Sequence, residues 1–303
     1  MKSLRYFIQL SRPIFVLLAS LLYVMGGGIA RYLSGQVSWL SFFLGLAWVV
    51  FIVIGFQYLN EYFYPVNLEQ DQKWWRTPFS GSNCAIGIGK LSRQVALWAG
   101  LACITLSASL TVLMLQNQKL NQVSIVMLGL MFIGELVFSI PTLRLVTSGY
   151  GEVILSIIMA GMIPAMAYLL QGYEMHRLLI MVSFPLVILY LSMILALEFP
   201  SYASDIKYGY KTIPIRIGWQ KGMLLHNILI LSSFFIFGLA LVLGLPLSIG
   251  WPVIFVLPVG LFQIWMMNRI AAGVKPNWNL LALIALSSFS LTAYLLTFSF
   301  WIH

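Results

Sequence analysis

The sequence has very few charged residues, because only 8% of its 303 residues are Asp, Glu, Lys or Arg. A soluble domain carries roughly 25%, so this chain lacks the charge that a water-facing surface needs. Cysteine is equally scarce, and Cys84 and Cys103 make neither a disulfide framework nor a metal-ligand spacing. The three histidines, His176, His226 and His303, share no ligand spacing either. These absences argue against a soluble domain and against a metal centre built on Cys or His.

Long apolar stretches make up most of the chain, which is 61% hydrophobic. A helix needs about 20 mostly apolar residues to cross a bilayer, and nine stretches meet or nearly meet this requirement. They predict an all-α, polytopic membrane protein with nine transmembrane helices around a central cavity. Most connections are short, so residues 1–303 are expected to form a single membrane domain. The predicted spans are 13–32, 38–60, 94–115, 123–141, 151–171, 178–198, 223–244, 251–268 and 278–301.

The positive charges fall almost entirely on one side of these spans. If the nine spans alternate in direction, all of the 17 Lys and Arg residues except Arg31, Lys119 and Arg177 lie on the side of the N-terminus. Cytoplasmic loops carry an excess of Lys and Arg. We therefore expect a protein of the cell (cytoplasmic) membrane with a cytoplasmic N-terminus and with both long connections, 61–93 and 199–222, in the cytoplasm. The basic residues are scattered between apolar segments, which argues against a nucleic-acid partner despite the net charge of +9.

Most of the acidic residues lie in or beside these two long connections. In each connection a span ends in an acid, a proline follows, and further acidic and basic residues come after it. Carboxylates clustered at helix ends suit a hard cation such as Mg²⁺, and neighbouring Lys and Arg residues suit phosphate. The pattern predicts a site for a diphosphate bridged by Mg²⁺. The alternative is that the acids only pair with nearby bases at the level of the lipid headgroups. The acids are Glu61, Glu69, Asp71, Glu198 and Asp205.

Short motifs occur in both connections and between them. Asn60-Glu61 resembles the start of the pattern N-D-x-x-D-x-x-x-D, with Glu61 in place of the first aspartate. Asp205, Gly209, Lys211 and Thr212 fit the latter half of D-x-x-x-D-x-x-x-G-x-[KR]-T. In this order and spacing the motifs resemble those of the UbiA superfamily of intramembrane aromatic prenyltransferases. Further resemblances are Ser139–Leu145 and Gly149–Glu152, which are similar to the family's connection between the fourth and fifth helices, and Thr77–Gly81, which is similar to a loop element of its menaquinone-type branch.

The resemblance implies a fold, an activity and a set of site residues. The family has nine transmembrane helices and transfers a prenyl group from a polyprenyl diphosphate to an aromatic or other lipophilic acceptor, with Mg²⁺ assisting the departure of diphosphate. The menaquinone-type element points to quinone biosynthesis. The implied catalytic residues are Asn60, Glu61 and Asp205, the implied metal ligands are Glu61, Asp71, Glu198 and Asp205, and the implied diphosphate contacts are Arg76, Lys211, Arg216 and Arg144.

The chain also departs from the family pattern. Tyr64 and Leu68 stand where the first motif expects its second and third aspartates, and Ser201 stands where the second motif expects its first. Glu198, about one helical turn before Ser201, could supply an acid in its place, as Glu69 and Asp71 could for the first motif. The alternative function is therefore a catalytically impaired relative that binds an isoprenoid lipid or a partner protein. A transporter is disfavoured, because its polar groups would lie near the midplane.

One further acid, Glu135, falls within the fourth predicted span. Ionisable residues inside membrane helices are costly and are functional candidates by default. Two interpretations remain open from the sequence: Glu135 points into the cavity as a base or as a group that binds the acceptor, or it is hydrogen-bonded to a neighbouring helix.

Overall fold

A computed structural model describes residues 2–63, 85–87, 90–117, 120–139, 149–207, 209 and 211–303. These residues are almost all helical, and the only β pairing among them is an isolated bridge between Ile86 and Leu91. The helices are α1 (Lys2–Leu10), α2 (Pro13–Ser34), α3 (Trp39–Tyr62), α4 (Arg93–Asn117), α5 (Gln122–Ser139), α6 (Gly151–Ser156), α7 (Ile163–Leu169), α8 (Arg177–Glu198), α9 (Tyr202–Lys207), α10 (Ile213–Ile217), α11 (Trp219–Val242), α12 (Leu247–Gly250), α13 (Leu257–Ala271) and α14 (Trp278–Ile302).

The prediction of an all-α, polytopic membrane protein is confirmed. Eight helical segments of the described chain are long and apolar enough to cross a membrane. The shorter apolar helix Gln122–Val137 lies where the fourth span was predicted. The count of nine spans and the cytoplasmic N-terminus therefore stay predictions. The segments are Pro13–Ser34, Trp39–Tyr62, Arg93–Gln116, Gly151–Leu169, Arg177–Lys207, Trp219–Val242, Leu247–Ala271 and Trp278–Ile302.

Two of these segments change helix type along their length. A π-helical stretch, Ile157–Met162, joins α6 to α7, and a 3₁₀ stretch, Trp251–Val256, joins α12 to α13. Pro164 and Pro252 lie close to these transitions, and proline cannot donate the hydrogen bond of a regular helix interior. Local π or 3₁₀ adjustments keep most backbone groups paired, as a lipid environment demands.

The second helix lies at the centre of the bundle, where it packs against α3, α7 and α14. The indole Nε1 of Trp301, on α14, donates to the Val24 carbonyl at 2.9 Å. At Gly26 a Cβ atom would collide with the Pro164 carbonyl oxygen of α7. The glycine therefore allows a close backbone approach, as small residues do between membrane helices.

A buried polar chain joins α11 to α13. Gln263 Nε2 lies 2.8 Å from His226 Nε2, His226 Nδ1 lies 3.0 Å from Asn227 Oδ1, and Asn227 Nδ2 donates to Asn268 Oδ1 at 2.7 Å. Because both ring nitrogens of His226 already have amide partners, this histidine acts as an interhelical hydrogen-bonding residue.

Candidate functional site

Three acidic residues that are far apart in sequence meet at one end of the bundle. Glu152 lies in the first turn of α6, Glu198 ends α8, and Asp205 lies on the short helix α9. Glu152 is 4% exposed and Asp205 is 9% exposed. The carboxyl group of Glu198 lies within electrostatic reach of the other two. The structure thus brings together Glu198 and Asp205, as predicted from the sequence, and adds Glu152 to them.

Hydrogen bonds fix the orientation of this acidic cluster, Glu152, Glu198 and Asp205. The backbone N–H of Ile213 donates to Glu152 Oε1 at 2.8 Å, which ties α10 to α6. The Glu152 and Glu198 carboxyl groups lie within hydrogen-bonding distance of each other, and no N–H or O–H group of the described residues donates to Glu152 Oε2 or Glu198 Oε2. Buried oxygen acceptors without donors are costly, so these two atoms are suited to receive a cation or a donor group.

Ser201 takes a defined place beside the cluster. Its hydroxyl lies 2.6 Å from Asp205 Oδ2 and 2.9 Å from the Glu198 carbonyl oxygen, and it can donate to either of them. The family pattern has an aspartate at this position, where a carboxylate would face Asp205 directly. The serine hydroxyl instead supports Asp205 without adding a negative charge.

A cationic group lies against the same end of the bundle. The Arg216 guanidinium stacks over the Tyr150 ring, 4.6 Å from its centroid, and interacts electrostatically with Glu152. Gly149 lies beneath it with φ +75°, and a Cβ there would collide with the Arg216 side chain and the Lys211 carbonyl oxygen. Arg216 and Lys211 are both exposed. Of the predicted diphosphate contacts, these two therefore lie next to the connection that leads into Glu152.

The acid of the first motif is paired with an arginine. Glu61 is 1% exposed at the end of α3, and its Oε1 accepts from Arg12 Nη2 at 2.8 Å. Arg12 precedes α2 with φ 45°, the one non-glycine residue with positive φ in the described chain. This left-handed conformation is unusual for a residue with a long side chain. Asn60, the neighbour of Glu61, is half-buried.

Other predicted site residues lie outside the described residues. They include the metal ligand Asp71 and the diphosphate contacts Arg76 and Arg144. The same holds for Glu69, for Tyr64 and Leu68, which depart from the family's first motif, and for the menaquinone-type element Thr77–Gly81.

The described acids suit Mg²⁺ as a set of hard oxygen donors. Among the residues described, no group of three or more His, Cys, Asp or Glu side chains is arranged to hold a metal ion. Mg²⁺ usually binds through one or two carboxylates plus substrate phosphates, rather than in a cage made by the protein alone. The Glu152 and Glu198 oxygens that receive no donor from the described residues fit that mode of binding.

Two residues of this region were missed as site residues by the sequence reasoning. Glu152 was noted only as part of the Gly149–Glu152 motif, and Arg12 only as a positive charge before the first span. A signal existed for each. An acid in the first turn of a span is costly unless it has a role. Arg12 lies just before the first predicted span, on the same side of the bundle as Glu61. Neither signal identifies the partner, which only the tertiary fold provides.

A polytopic helical bundle with an acidic cluster and cations at one end defines a class of membrane-embedded proteins that can bind a metal-bridged anionic headgroup. The sequence model of the UbiA prenyltransferase family matches residues 20–286. The chain therefore belongs to the UbiA prenyltransferase family.

Solved structures support the same fold at low sequence identity. A UbiA homologue from Archaeoglobus fulgidus is similar with a TM-score of 0.69 and 16% identity, over 98% of each chain. Its complex with GPP and Mg²⁺ gives 0.67 and 16%, over 96% of this chain and 99% of that one. A structure described as digeranylgeranylglyceryl phosphate synthase gives 0.64 and 14%, over 100% and 98%. None of the curated protein sequences compared with the chain is a significant match.

Proposed function

We propose that residues 1–303 form a single intramembrane prenyltransferase domain. It transfers a prenyl group from a polyprenyl diphosphate to an aromatic or other lipophilic acceptor. The observation that carries this proposal is the convergence of Glu152, Glu198 and Asp205 at one end of an apolar bundle, with Arg216 beside them. The homologue from Archaeoglobus fulgidus has been described bound to DMAPP and Mg²⁺ and to GPP and Mg²⁺, which supports the same donor class and metal here.

The proposed metal ligands are Glu61, Asp71, Glu198 and Asp205, with Glu152 as an added candidate. Mg²⁺ bound there would neutralise charge on the diphosphate oxygens as the allylic carbon–oxygen bond breaks. Asp205 keeps its orientation through the 2.6 Å contact with the Ser201 hydroxyl. Asn60, Glu61 and Asp205 remain the proposed catalytic residues.

Basic residues at the same end would hold the rest of the diphosphate. Arg216 and Lys211 are the described candidates, and Arg76 and Arg144 complete the proposed set. The stacking of Arg216 on Tyr150 limits the freedom of its side chain. A guanidinium held in this way can bind phosphate oxygens with little further loss of entropy.

The interior of the bundle suits an isoprenoid chain and a reactive allylic cation. Its core is formed by aliphatic and aromatic side chains, including Phe56, Tyr190 and Phe289. Such surroundings exclude water from the reacting carbon, and aromatic faces stabilise a passing positive charge. We place the two motif connections on the cytoplasmic side of the cell membrane, from the distribution of Lys and Arg.

A second candidate is a relative that has lost catalysis and binds an isoprenoid lipid or a partner protein. Two observations favour it. Ser201 replaces an expected aspartate, and Arg12 already neutralises Glu61. Both features reduce the negative charge available to a divalent cation.

A direct assay separates the two candidates. Purified protein in detergent is incubated with geranylgeranyl diphosphate and quinol precursors, and released diphosphate is measured with Mg²⁺ or with EDTA. We expect release with Mg²⁺ and none above background with EDTA. Equal release in both conditions, or release in neither, would reject the prenyltransferase and leave the lipid-binding relative.

A further inference from the structure

Glu135 is an acid inside the bundle that has no hydrogen-bond partner among the described residues. It lies on α5, one turn before the helix ends, and is 5% exposed. Within the described chain it makes no hydrogen bond and no ion pair. No described residue of a neighbouring helix therefore forms the hydrogen bond that the second interpretation of the sequence expected.

The hydroxyl of Tyr190 is a second polar group without a hydrogen-bond partner among the described residues. Tyr190, on α8, is fully buried, and its hydroxyl has no hydrogen-bond partner in the described structure. It lies within electrostatic reach of Glu135. The Phe289 ring of α14 packs edge-on against the tyrosine, with centroids 4.9 Å apart, and fixes its direction.

Stability does not account for these two groups. A buried polar group without a hydrogen bond costs free energy, and an apolar side chain of similar size would pack here at less cost. Three helices, α5, α8 and α14, contribute to the arrangement. Two polar groups that lack hydrogen-bond partners among the described residues and lie within electrostatic reach of each other need an explanation, and a polar group of a bound ligand would supply one.

The position of the pair relative to the acidic cluster indicates which ligand this is. Tyr190 precedes Glu198 on the same helix by eight residues, which corresponds to about 12 Å along the axis. Tyr190 therefore lies deeper in the bundle than the proposed diphosphate site. A lipophilic acceptor bound there would approach the allylic carbon from the apolar side of the diphosphate.

We propose that Glu135 and Tyr190 bind a hydroxyl group of the lipophilic acceptor. The Tyr190 O–H donates to the acceptor's oxygen, and a Glu135 oxygen accepts from the acceptor's O–H. This inference rests on the proposed function, because it assigns the pair to the acceptor of that same reaction. It adds two named residues of this chain that would hold that acceptor.

The test compares two probes of equal shape, 2-naphthol and 2-methylnaphthalene, by calorimetry with the full chain in detergent. We expect the wild-type protein to bind 2-naphthol about tenfold more tightly, the difference expected for a buried hydrogen-bonded hydroxyl. Glu135→Leu and, independently, Tyr190→Phe should bring the ratio of the dissociation constants of the two probes close to one. The apparent melting temperature of both variants should be equal to or higher than that of the wild type.

Tyr23→Phe is the matched control. Tyr23 is also fully buried and its hydroxyl also lacks a partner among the described residues, but it packs against Gly45 on α3. This variant should keep the wild-type ratio. A wild-type ratio near one, or an unchanged ratio in both Glu135→Leu and Tyr190→Phe, overturns the proposal.

A parallel titration with geranyl diphosphate and Mg²⁺ keeps the two proposals apart. Glu135→Leu should bind geranyl diphosphate as the wild type does, because the pair lies away from the acids. If geranyl diphosphate binds but the naphthol ratio is near one, only the acceptor site is rejected. If the wild type does not bind geranyl diphosphate, the prenyltransferase function itself is rejected.

Discussion

Replacing Asp205 with asparagine should lower Mg²⁺-dependent release of diphosphate by at least about 100-fold, the scale seen when one group that stabilises developing charge is removed. Asparagine keeps the size of the side chain and can still accept the hydrogen bond of Ser201, which is 2.6 Å in length. Only the negative charge is lost. The expected decrease therefore reports on charge at the proposed metal site, and not on local unfolding.

Glu174→Gln is the control for the Asp205 variant. Glu174 is an exposed acid between α7 and α8, at the opposite end of the bundle from Glu198. The initial rate of diphosphate release, measured over a range of Mg²⁺ concentrations, should not change in this variant. If the rate of diphosphate release by Asp205→Asn stays within about threefold of the wild-type rate, Asp205 is not part of the proposed metal site.

The second large effect concerns the ion pair between Arg12 and Glu61. Replacing Arg12 with methionine should reduce the free energy of unfolding by about 3 kcal/mol, because it removes the guanidinium that is paired with a buried carboxylate. Glu61 is 1% exposed and lies 2.8 Å from the guanidinium. Methionine, like arginine, is unbranched at Cβ, so the free-energy cost of the left-handed backbone conformation at φ 45° should change little.

The double variant Arg12→Met/Glu61→Gln identifies the cause of that loss. Removing the charge of Glu61 should recover most of the free energy of unfolding, since the buried negative charge that Arg12 compensates is then gone. Arg5→Met, at an exposed position of α1, should have no effect. Unfolding in mixed SDS micelles, followed by circular dichroism, measures all four proteins. If the double variant is as unstable as Arg12→Met alone, the ion pair is not the source of the loss.

Much of the fold could be predicted from the sequence, because a bilayer imposes a simple length rule on apolar segments. The predicted span 178–198 and the observed helix Arg177–Glu198 differ by one residue. The weakest agreement is at 251–268, where the helical segment begins at Leu247 and passes through a 3₁₀ stretch. Hydropathy does not distinguish helix types, so that irregularity could not be predicted.

The site could be predicted only in part. The convergence of Glu198 and Asp205 followed from their closeness in the chain and from the motif. The addition of Glu152, the pairing of Arg12 with Glu61, and the closeness of Glu135 to Tyr190 all join residues from different helices. Such contacts depend on how helices pack and rotate against each other, and apolar sequences of this kind encode rotation only weakly.

Ser201 illustrates how the structure changes the meaning of a departure from the family pattern. From the sequence it was an absent carboxylate. In the structure its hydroxyl lies between Asp205 and the end of α8, at 2.6 Å and 2.9 Å from their oxygens. The residue therefore maintains the geometry of the remaining acid while it lowers the total charge of the cluster.

Whether the acidic end of the bundle binds a divalent cation together with diphosphate is tested most directly by Mn²⁺ electron paramagnetic resonance. Purified protein is mixed with Mn²⁺, with and without a non-hydrolysable thio analogue of geranylgeranyl diphosphate. We expect the analogue to cause the loss of the free aqueous Mn²⁺ signal in proportion to the protein, and excess Mg²⁺ to restore it. An aqueous signal equal to that of a protein-free sample containing the same analogue would contradict a metal-bridged diphosphate site.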